Sequence, residues 1–236
     1  MEKQIKRKHF VALSAATFLC FAFLFIRISI APSSKMDYIA PFEAQMYFFG
    51  FLFLVWNLFL AWLPYLVAFF LPSIYKYFGS SKAIAALIIL IWLFFYPNAP
   101  YIITDFVHFR HRTGIPYWLD ICMIASFAGT GMMLGLLSMF YVEKFLKSIM
   151  NPVWAMAIVL SCIPLSGLGI WIGRYQRWNS WDVVTRPWDL VKDVWLHISS
   201  PIQHAESLGI AVAFTLIIGM SYWMLSSLQM SSLKEN

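Results

Sequence analysis

Charged residues are scarce in this sequence, and their scarcity excludes an ordinary soluble protein. Only 12% of the 236 residues are Asp, Glu, Lys or Arg, whereas 61% are hydrophobic. A soluble domain usually has about a quarter charged residues. Apolar runs recur along the whole chain, and no hydrophilic stretch is long enough to form a separate soluble domain. The composition therefore predicts a single membrane domain that comprises residues 1–236.

Cysteines and the sequence motifs of well-known enzymes are also scarce. The three cysteines lie within apolar runs and no C-x-x-C pair is present, so we expect no structural disulfide. The chain has no G-x-S-x-G, H-E-x-x-H, Walker A or G-x-G-x-x-G motif. No histidine lies near the middle of an apolar run, where a pair of helices could clamp haem. These absences leave open whether the protein is an enzyme and which cofactor, if any, it uses.

What the sequence does contain is six long apolar runs. Each is long enough to cross about 30 Å of hydrocarbon at roughly 1.5 Å per residue. The shorter segment 187–199 has Trp188, Val191 and Trp195 on one helical face, which predicts a helix lying in the membrane interface. We therefore expect an all-α polytopic membrane protein with six transmembrane helices and one short interfacial amphipathic helix. The predicted spans are residues 10–31, 46–71, 83–104, 119–141, 152–173 and 205–227.

The distribution of basic residues predicts the orientation of the chain. Lysine and arginine crowd residues 3–8, which places the N-terminus in the cytoplasm by the positive-inside rule. An even number of spans then places the C-terminus there too, and puts the segments 97–118 and 173–204 at the outer face. The net charge of +6 comes largely from basic residues beside apolar runs. This pattern favours membrane lipids as partners and argues against nucleic acid.

The end of the third span carries two prolines. Pro97 and Pro100 flank Asn98, and proline removes a backbone donor and disfavours helical geometry in the residue before it. We therefore expect an interruption near the outer end of this span, where Asn98 can supply some of the hydrogen bonds that the backbone loses. Non-helical backbone at this depth needs protein or a wet cavity around it. The alternative is a kinked helix whose freed carbonyls meet a neighbouring helix.

Acidic and imidazole side chains follow the prolines at intervals of three residues. Asp105 and His108 can share one edge of a helix and form a catalytic acid–base pair in which Asp105 orients His108. Together with His111 they could instead ligate Zn²⁺ or a similar ion. Asp120, at the start of the fourth span, is a further candidate acid. The alternative is a helix end whose polar residues are simply hydrated.

Arginine and capping residues follow the fifth span. Arg174 and Arg177 are three residues apart, and the planar guanidinium suits phosphate or carboxylate ligands. Asn179 or Ser180 is a candidate helix N-cap, and Asp182 is favourable in the helical turn that follows. We expect Arg174, Arg177, Asn179 and Asp182 to line a ligand-binding site together with Asn57, Asn98 and Asp120. The alternative is plain anchoring, because arginines beside a membrane commonly extend to the headgroups.

Inside the spans, amide, basic and glycine residues predict helix packing. Asn57 in the second span either bonds across helices or lines a pocket. Arg27, near the end of the first span, is expected to reach the outer interface. Gly129, Gly131 and Gly135 in the fourth span, and the pair Gly169–Gly173 in the fifth, allow close approach of another helix.

Three separated motifs resemble one known family. They are WNLFLAWLP in the second span, FFYPNAPYIITDFVH in the third and GLGIWIGRYQRWNSWD in the fifth. They are similar to an uncharacterised bacterial membrane family, the domain of unknown function 1361. The resemblance implies a bacterial integral membrane protein of several helices, and it brings no activity or cofactor. The resemblance implies that the recurrent polar positions of the family correspond here to Asn57, Asn98, Tyr101, Asp105, His108, Asp120, Arg174, Arg177, Asn179, Ser180 and Asp182.

Three functional hypotheses follow for a protein of the bacterial cell membrane. The first is a polar pocket at the outer face that binds or processes an anionic or lipid-linked envelope substrate. Arg174 and Arg177 would hold the anion, while Asp105 and His108 would carry out acid–base or metal chemistry. The second is a scaffold subunit whose glycine faces bind another membrane protein. The third is a small-solute transporter, which is less favoured because few polar groups lie near the middle of the spans.

Overall fold

A computed structural model describes residues 2–30, 50–109, 115–176, 178, 182–199 and 205–234 of the chain. Helices dominate these residues, and no β-strand occurs among them. In chain order they are α1 (Glu2–Ile30), α2 (Leu52–Tyr77), α3 (Lys82–Phe95), α4 (Asn98–Tyr101), a 3₁₀ helix (Ile102–His108), α5 (Tyr117–Ile149), α6 (Pro152–Arg174), α7 (Asp182–Thr185), α8 (Pro187–Ser199) and α9 (Ala205–Lys234).

Six helical segments are long and apolar enough to cross a membrane, so the all-α fold class with six spans is confirmed. The protein is therefore a multi-pass integral membrane protein. The segments are Gln4–Ile30, Leu52–Tyr77, Lys82–His108, Tyr117–Ile149, Pro152–Arg174 and Leu208–Leu228.

Two spans extend further than their apolar runs predict. α2 continues through Pro64 and Pro72 to Tyr77, since neighbouring helices and local adjustments can satisfy the backbone groups that a proline frees in a membrane. α5 ends at Ile149 rather than at residue 141, because hydropathy marks the apolar part of a helix and not its charged last turns. Residues 46–49 of the predicted second span lie outside the described residues.

The predicted interruption of the third span is confirmed. α3 ends at Phe95, and the N–H of Tyr96 donates the last hydrogen bond to the carbonyl of Trp92 at 2.8 Å. Pro97 then separates α3 from the single turn of α4, and the chain continues as a 3₁₀ helix. The loss of the proline donors explains why regular α-helix stops here.

The chain divides into two compact units. The first comprises Met1–Leu63 with Asn98–Leu134, and the second comprises Pro64–Pro97 with Gly135–Asn236. The first unit thus contains α1, the beginning of α2, the segment after the break and the beginning of α5. The expectation of a single membrane domain stays a prediction.

Close helix contacts organise the second unit. A Cβ atom at Gly169 would lie 2.9 Å from Cγ of Pro97, so the predicted small-residue face of α6 packs against the proline that ends α3. Trp92 donates a hydrogen bond from Nε1 to Oγ of Ser138 at 3.2 Å, which joins α3 to α5. These contacts fix the end of α3 against its neighbours.

The amphipathic helix predicted over residues 187–199 is observed as α8. Trp188, Val191 and Trp195 are exposed along one side of this helix. Asp193 turns the other way and accepts a hydrogen bond from Nε1 of Trp178 at 2.8 Å. α8 therefore keeps its polar contact inside the second unit and presents an apolar face outward.

Candidate functional site

The first unit joins two of the residues that the sequence marks as site candidates. Nδ2 of Asn57, on α2, donates a hydrogen bond to Oδ2 of Asp105, on the 3₁₀ helix, at 2.8 Å. Asp105 is fully buried, and Asn57 is half-buried. A 3₁₀ helix has about three residues per turn, so Asp105 lies on the same edge as the buried Ile102. That edge faces the interior of the unit and brings the carboxylate to α2.

A buried ion pair joins α1 to α5 in the same unit. Nε of Arg27 lies 3.3 Å from Oδ1 of Asp120, and both side chains are almost completely buried. The guanidinium also lies over the ring of Phe51, 4.7 Å from its centroid, a cation–π geometry. The expectation that Arg27 reaches the membrane interface is therefore wrong. Asp120 supplies the opposite charge that a buried guanidinium needs.

The segment after the break is held tightly against α5. A Cβ atom at Gly131 would lie 2.7 Å from the carbonyl oxygen of Ala99 and 2.7 Å from Cδ1 of Ile102. Only glycine therefore lets the backbone of α4 come this close. Thr104 donates from Oγ1 to the carbonyl of Tyr101 at 2.7 Å, so its hydroxyl satisfies a backbone group at the start of the 3₁₀ helix.

Among its described residues, the first unit has three buried side chains that can carry a full charge at neutral pH, and they lie on three different helical segments. Arg27 lies on α1, Asp105 on the 3₁₀ helix and Asp120 in the first turn of α5. Asn57 adds an amide from α2. Charges in such a poorly solvated environment interact far more strongly than charges in water. A guanidinium can hold a phosphate or carboxylate, and a carboxylate can accept a proton or bind an amine.

His108 lies in a different environment from Asp105. Its side chain is exposed, and its ring centroid lies 4.8 Å from that of Phe53. His111 lies outside the described residues. Within the described part of the chain, no group of three or more His, Cys, Asp or Glu residues could hold a metal ion. Because the third proposed ligand is His111, the metal site stays a prediction, as does the catalytic role of Asp105 and His108.

The remaining candidate ligand-binding residues lie in one or the other of the two units, or in segments that the structure does not describe. Asn98 is half-buried at the start of α4 in the first unit. Arg174 is half-buried in the last turn of α6 in the second unit. Arg177 and Asn179 lie outside the described residues. Among the candidates, the structure joins Asn57 to Asp105, and it pairs Asp120 with Arg27.

Asp182 lies in the first turn of a helix, as its sequence context predicts. It is buried, and Oδ1 accepts a hydrogen bond from Nη2 of Arg186 at 2.8 Å. This hydrogen bond and then the negative charge of Asp182 raise the pKa of the Arg186 guanidinium above its usual value. The guanidinium also lies 5.0 Å from the ring centroid of Trp178. Asp182 thus contributes to a local network that holds α7 and α8.

Sequence reasoning missed another buried acid, Glu143. The hydroxyl of Tyr222, on α9, donates a hydrogen bond to Oε2 of Glu143, on α5. Nζ of Lys147 lies 2.5 Å from Oε1 of the same carboxylate. The signal was available, since Glu143 lies four residues before Lys147 at the end of an apolar run. This group ties α5 to α9 within the second unit.

Comparison with known proteins assigns the chain to a family. No curated protein and no solved structure matches the chain. The family described as "Protein of unknown function (DUF1361)" matches residues 56–221. The matched region contains Asn57, Asp105 and Asp120, and it starts after Arg27. Since the match covers more than half of the chain, the protein belongs to the DUF1361 family.

Proposed function

We propose that the first unit binds the polar part of an anionic or lipid-linked envelope substrate at the outer membrane face. The observation that carries this proposal is the burial of Arg27, Asp105 and Asp120 together in one unit of a membrane protein. Ionisable groups inside membrane domains commonly mark substrate sites or proton relays.

Stability alone gives a weak reason to keep these residues. Replacing a buried ion pair by apolar residues of similar volume is often neutral, or stabilising by about 1–4 kcal/mol. The pair Arg27–Asp120 and the buried carboxylate of Asp105 therefore call for a role beyond holding helices together.

The chemistry of the buried groups suits such a substrate. Arg27 joins Arg174 and Arg177 as a candidate anion-binding residue, because the planar guanidinium of arginine suits a phosphate or a carboxylate. Asp105 is oriented by the amide of Asn57 and is the candidate group to accept or donate a proton. His108, exposed at the end of the 3₁₀ helix, remains the candidate to exchange that proton with water.

The packing of Gly131 counts against the scaffold hypothesis, in which the glycine faces bind another membrane protein. Gly131 contacts Ala99 and Ile102 of its own unit, so this glycine serves packing within the chain. No observation on the described residues favours transport over binding.

The test is the identity of the molecules that co-purify with the protein. Native mass spectrometry of the wild type should find a bound polar lipid or lipid-linked compound, and Arg27→Gln and Asp105→Asn should each lose it. Glu143→Gln changes a buried carboxylate of the second unit and should retain the ligand. If all four proteins carry the same bound molecules in the same amounts, the proposal is wrong.

A further inference from the structure

One end of the second unit carries four exposed lysines. They are Lys76, Lys82, Lys144 and Lys147, and we call them the lysine surface. We propose that the lysine surface binds the headgroups of anionic phospholipids. It belongs to a different unit from Arg27 and Asp105, so it is a second binding site in addition to the proposed one.

A contact between α2 and α5 brings the lysines of these two helices to the same end of the unit. The ring of Tyr75 packs edge-on against the ring of Phe145, with centroids 5.1 Å apart. Tyr75 precedes Lys76 on α2, and Phe145 follows Lys144 on α5. The last turns of both helices therefore lie side by side.

A tight turn adds the start of α3 to this end. The N–H of Ser80 donates a hydrogen bond to the carbonyl of Tyr75 at 2.9 Å, and α3 begins two residues later at Lys82. Lys82 thus lies close to the end of α2 that carries Lys76.

The residues around the four lysines bring little negative charge. The segments 72–85 and 143–154 contain a single acid, Glu143, and its side chain is buried. Its Oε1 lies 2.5 Å from Nζ of Lys147, and its Oε2 accepts a hydrogen bond from the hydroxyl of Tyr222. Glu143 therefore offsets one lysine charge from inside the unit. Clusters of lysine beside membrane spans attract anionic headgroups.

The position of the lysines relative to the spans favours a lipid over an anion from water. Four span ends lie at this surface, at Tyr77, Lys82, Ile149 and Pro152. Three aromatic side chains are exposed beside them, those of Tyr77, Phe78 and Trp154. Tyrosine and tryptophan favour the headgroup layer, and a lysine at a span end extends its ammonium group to that layer. A phospholipid offers both a phosphate for the lysines and apolar contact for the aromatic rings.

The test compares two lipids that share the same acyl chains. Phosphatidylglycerol carries a net negative charge, and phosphatidylcholine carries none. Each is added to delipidated full-length protein in detergent, and bound lipid is measured by native mass spectrometry. Each lysine beside an anionic headgroup should contribute about fivefold to the affinity, so the wild type should bind phosphatidylglycerol at least about tenfold more tightly than phosphatidylcholine.

Two variants make the comparison specific to the lysine surface. Lys76→Gln/Lys82→Gln should lose most of the preference for phosphatidylglycerol. Lys192→Gln removes an exposed lysine from α8 and should keep it. Should the double variant not fold, Lys76→Gln and Lys82→Gln alone should each weaken the binding of phosphatidylglycerol about fivefold.

Equal binding of the two lipids by the wild type would overturn the proposal, and so would an unchanged preference in Lys76→Gln/Lys82→Gln. If an excess of inorganic phosphate displaces phosphatidylglycerol, the surface takes free phosphate and the assignment to a lipid is wrong. Arg27→Gln and Asp105→Asn should leave the preference intact, even where they lose a co-purified ligand. If they abolish the preference and the lysine variants do not, the lipid is bound by the first unit, and only the proposed function survives.

Discussion

The amide of Asn57 reaches across 48 positions of sequence to the carboxylate of Asp105, at 2.8 Å. This hydrogen bond links the second span to the segment that follows the break in the third. We expect Asn57→Leu to lower the free energy of unfolding by about 1–3 kcal/mol, because a buried carboxylate loses a donor. Thermal unfolding of the purified protein in detergent measures this. The double variant Asn57→Leu/Asp105→Leu should recover part of the loss, and an additive loss would contradict a direct bond.

The ion pair between Arg27 and Asp120 predicts that a variant lacking one of the two charges is less stable than a variant lacking both. Arg27→Met alone leaves the charge of Asp120 buried and should destabilise the protein by about 3–5 kcal/mol. Arg27→Met/Asp120→Leu removes both charges and should restore stability close to that of the wild type. The double variant should nevertheless fail to bind the ligand. A double variant that is stable and still binds would show that the pair has no role in the site.

Two glycines on α5 give a matched pair for testing the contact with the break. Gly131→Ala places a methyl group 2.7 Å from the carbonyl oxygen of Ala99, and overpacking of this kind typically destabilises by about 1–3 kcal/mol. Gly129→Ala meets nothing within 4 Å and should be neutral, or stabilising by up to about 1 kcal/mol through helix propensity. The unfolding temperatures of the two variants are measured in one detergent. Equal changes in unfolding temperature would contradict the close contact between Gly131 and Ala99.

The orientation predicted from the basic residues can be tested with single cysteines. Lys192, on α8, and Lys82, at the start of α3, are both exposed, and the predicted topology places them on opposite sides of the membrane. Both cysteines are introduced into a chain whose three native cysteines are replaced by alanine. A membrane-impermeant maleimide added to intact cells should label Lys192→Cys and leave Lys82→Cys unlabelled until the cells are opened, with the cysteine-free chain as the blank. The reverse pattern would move the proposed site to the cytoplasmic face.

The features that the sequence predicts well are those that depend on local chemistry. Six apolar runs correspond to the six spans because length and hydropathy decide whether a segment can cross a bilayer. Pro97 and Pro100 predict the end of α3 because a proline cannot donate a backbone hydrogen bond. The helical periodicity of residues 187–199 predicts α8, because apolar residues recur on one face and charged residues lie on the opposite face.

The features that the sequence misses depend on packing between distant segments. Arg27 near the end of an apolar run is typical of a side chain that extends to the interface. It is buried instead because Asp120, 93 positions away, and Phe51 surround it. The pairing of Asn57 with Asp105 likewise depends on how α2 is rotated against the 3₁₀ helix, which periodicity within one segment cannot give. The burial of Glu143 also depends on a partner from another helix, Tyr222.

The 3₁₀ conformation of Ile102–His108 determines the length of this segment. A 3₁₀ helix rises about 2.0 Å per residue and an α-helix about 1.5 Å, so rewinding this stretch into an α-helix would draw its far end in by about 3–4 Å. The same rewinding would rotate Asp105 about the helix axis and away from Asn57. The hydrogen bond between Asp105 and Asn57 thus depends on the 3₁₀ geometry of this short segment.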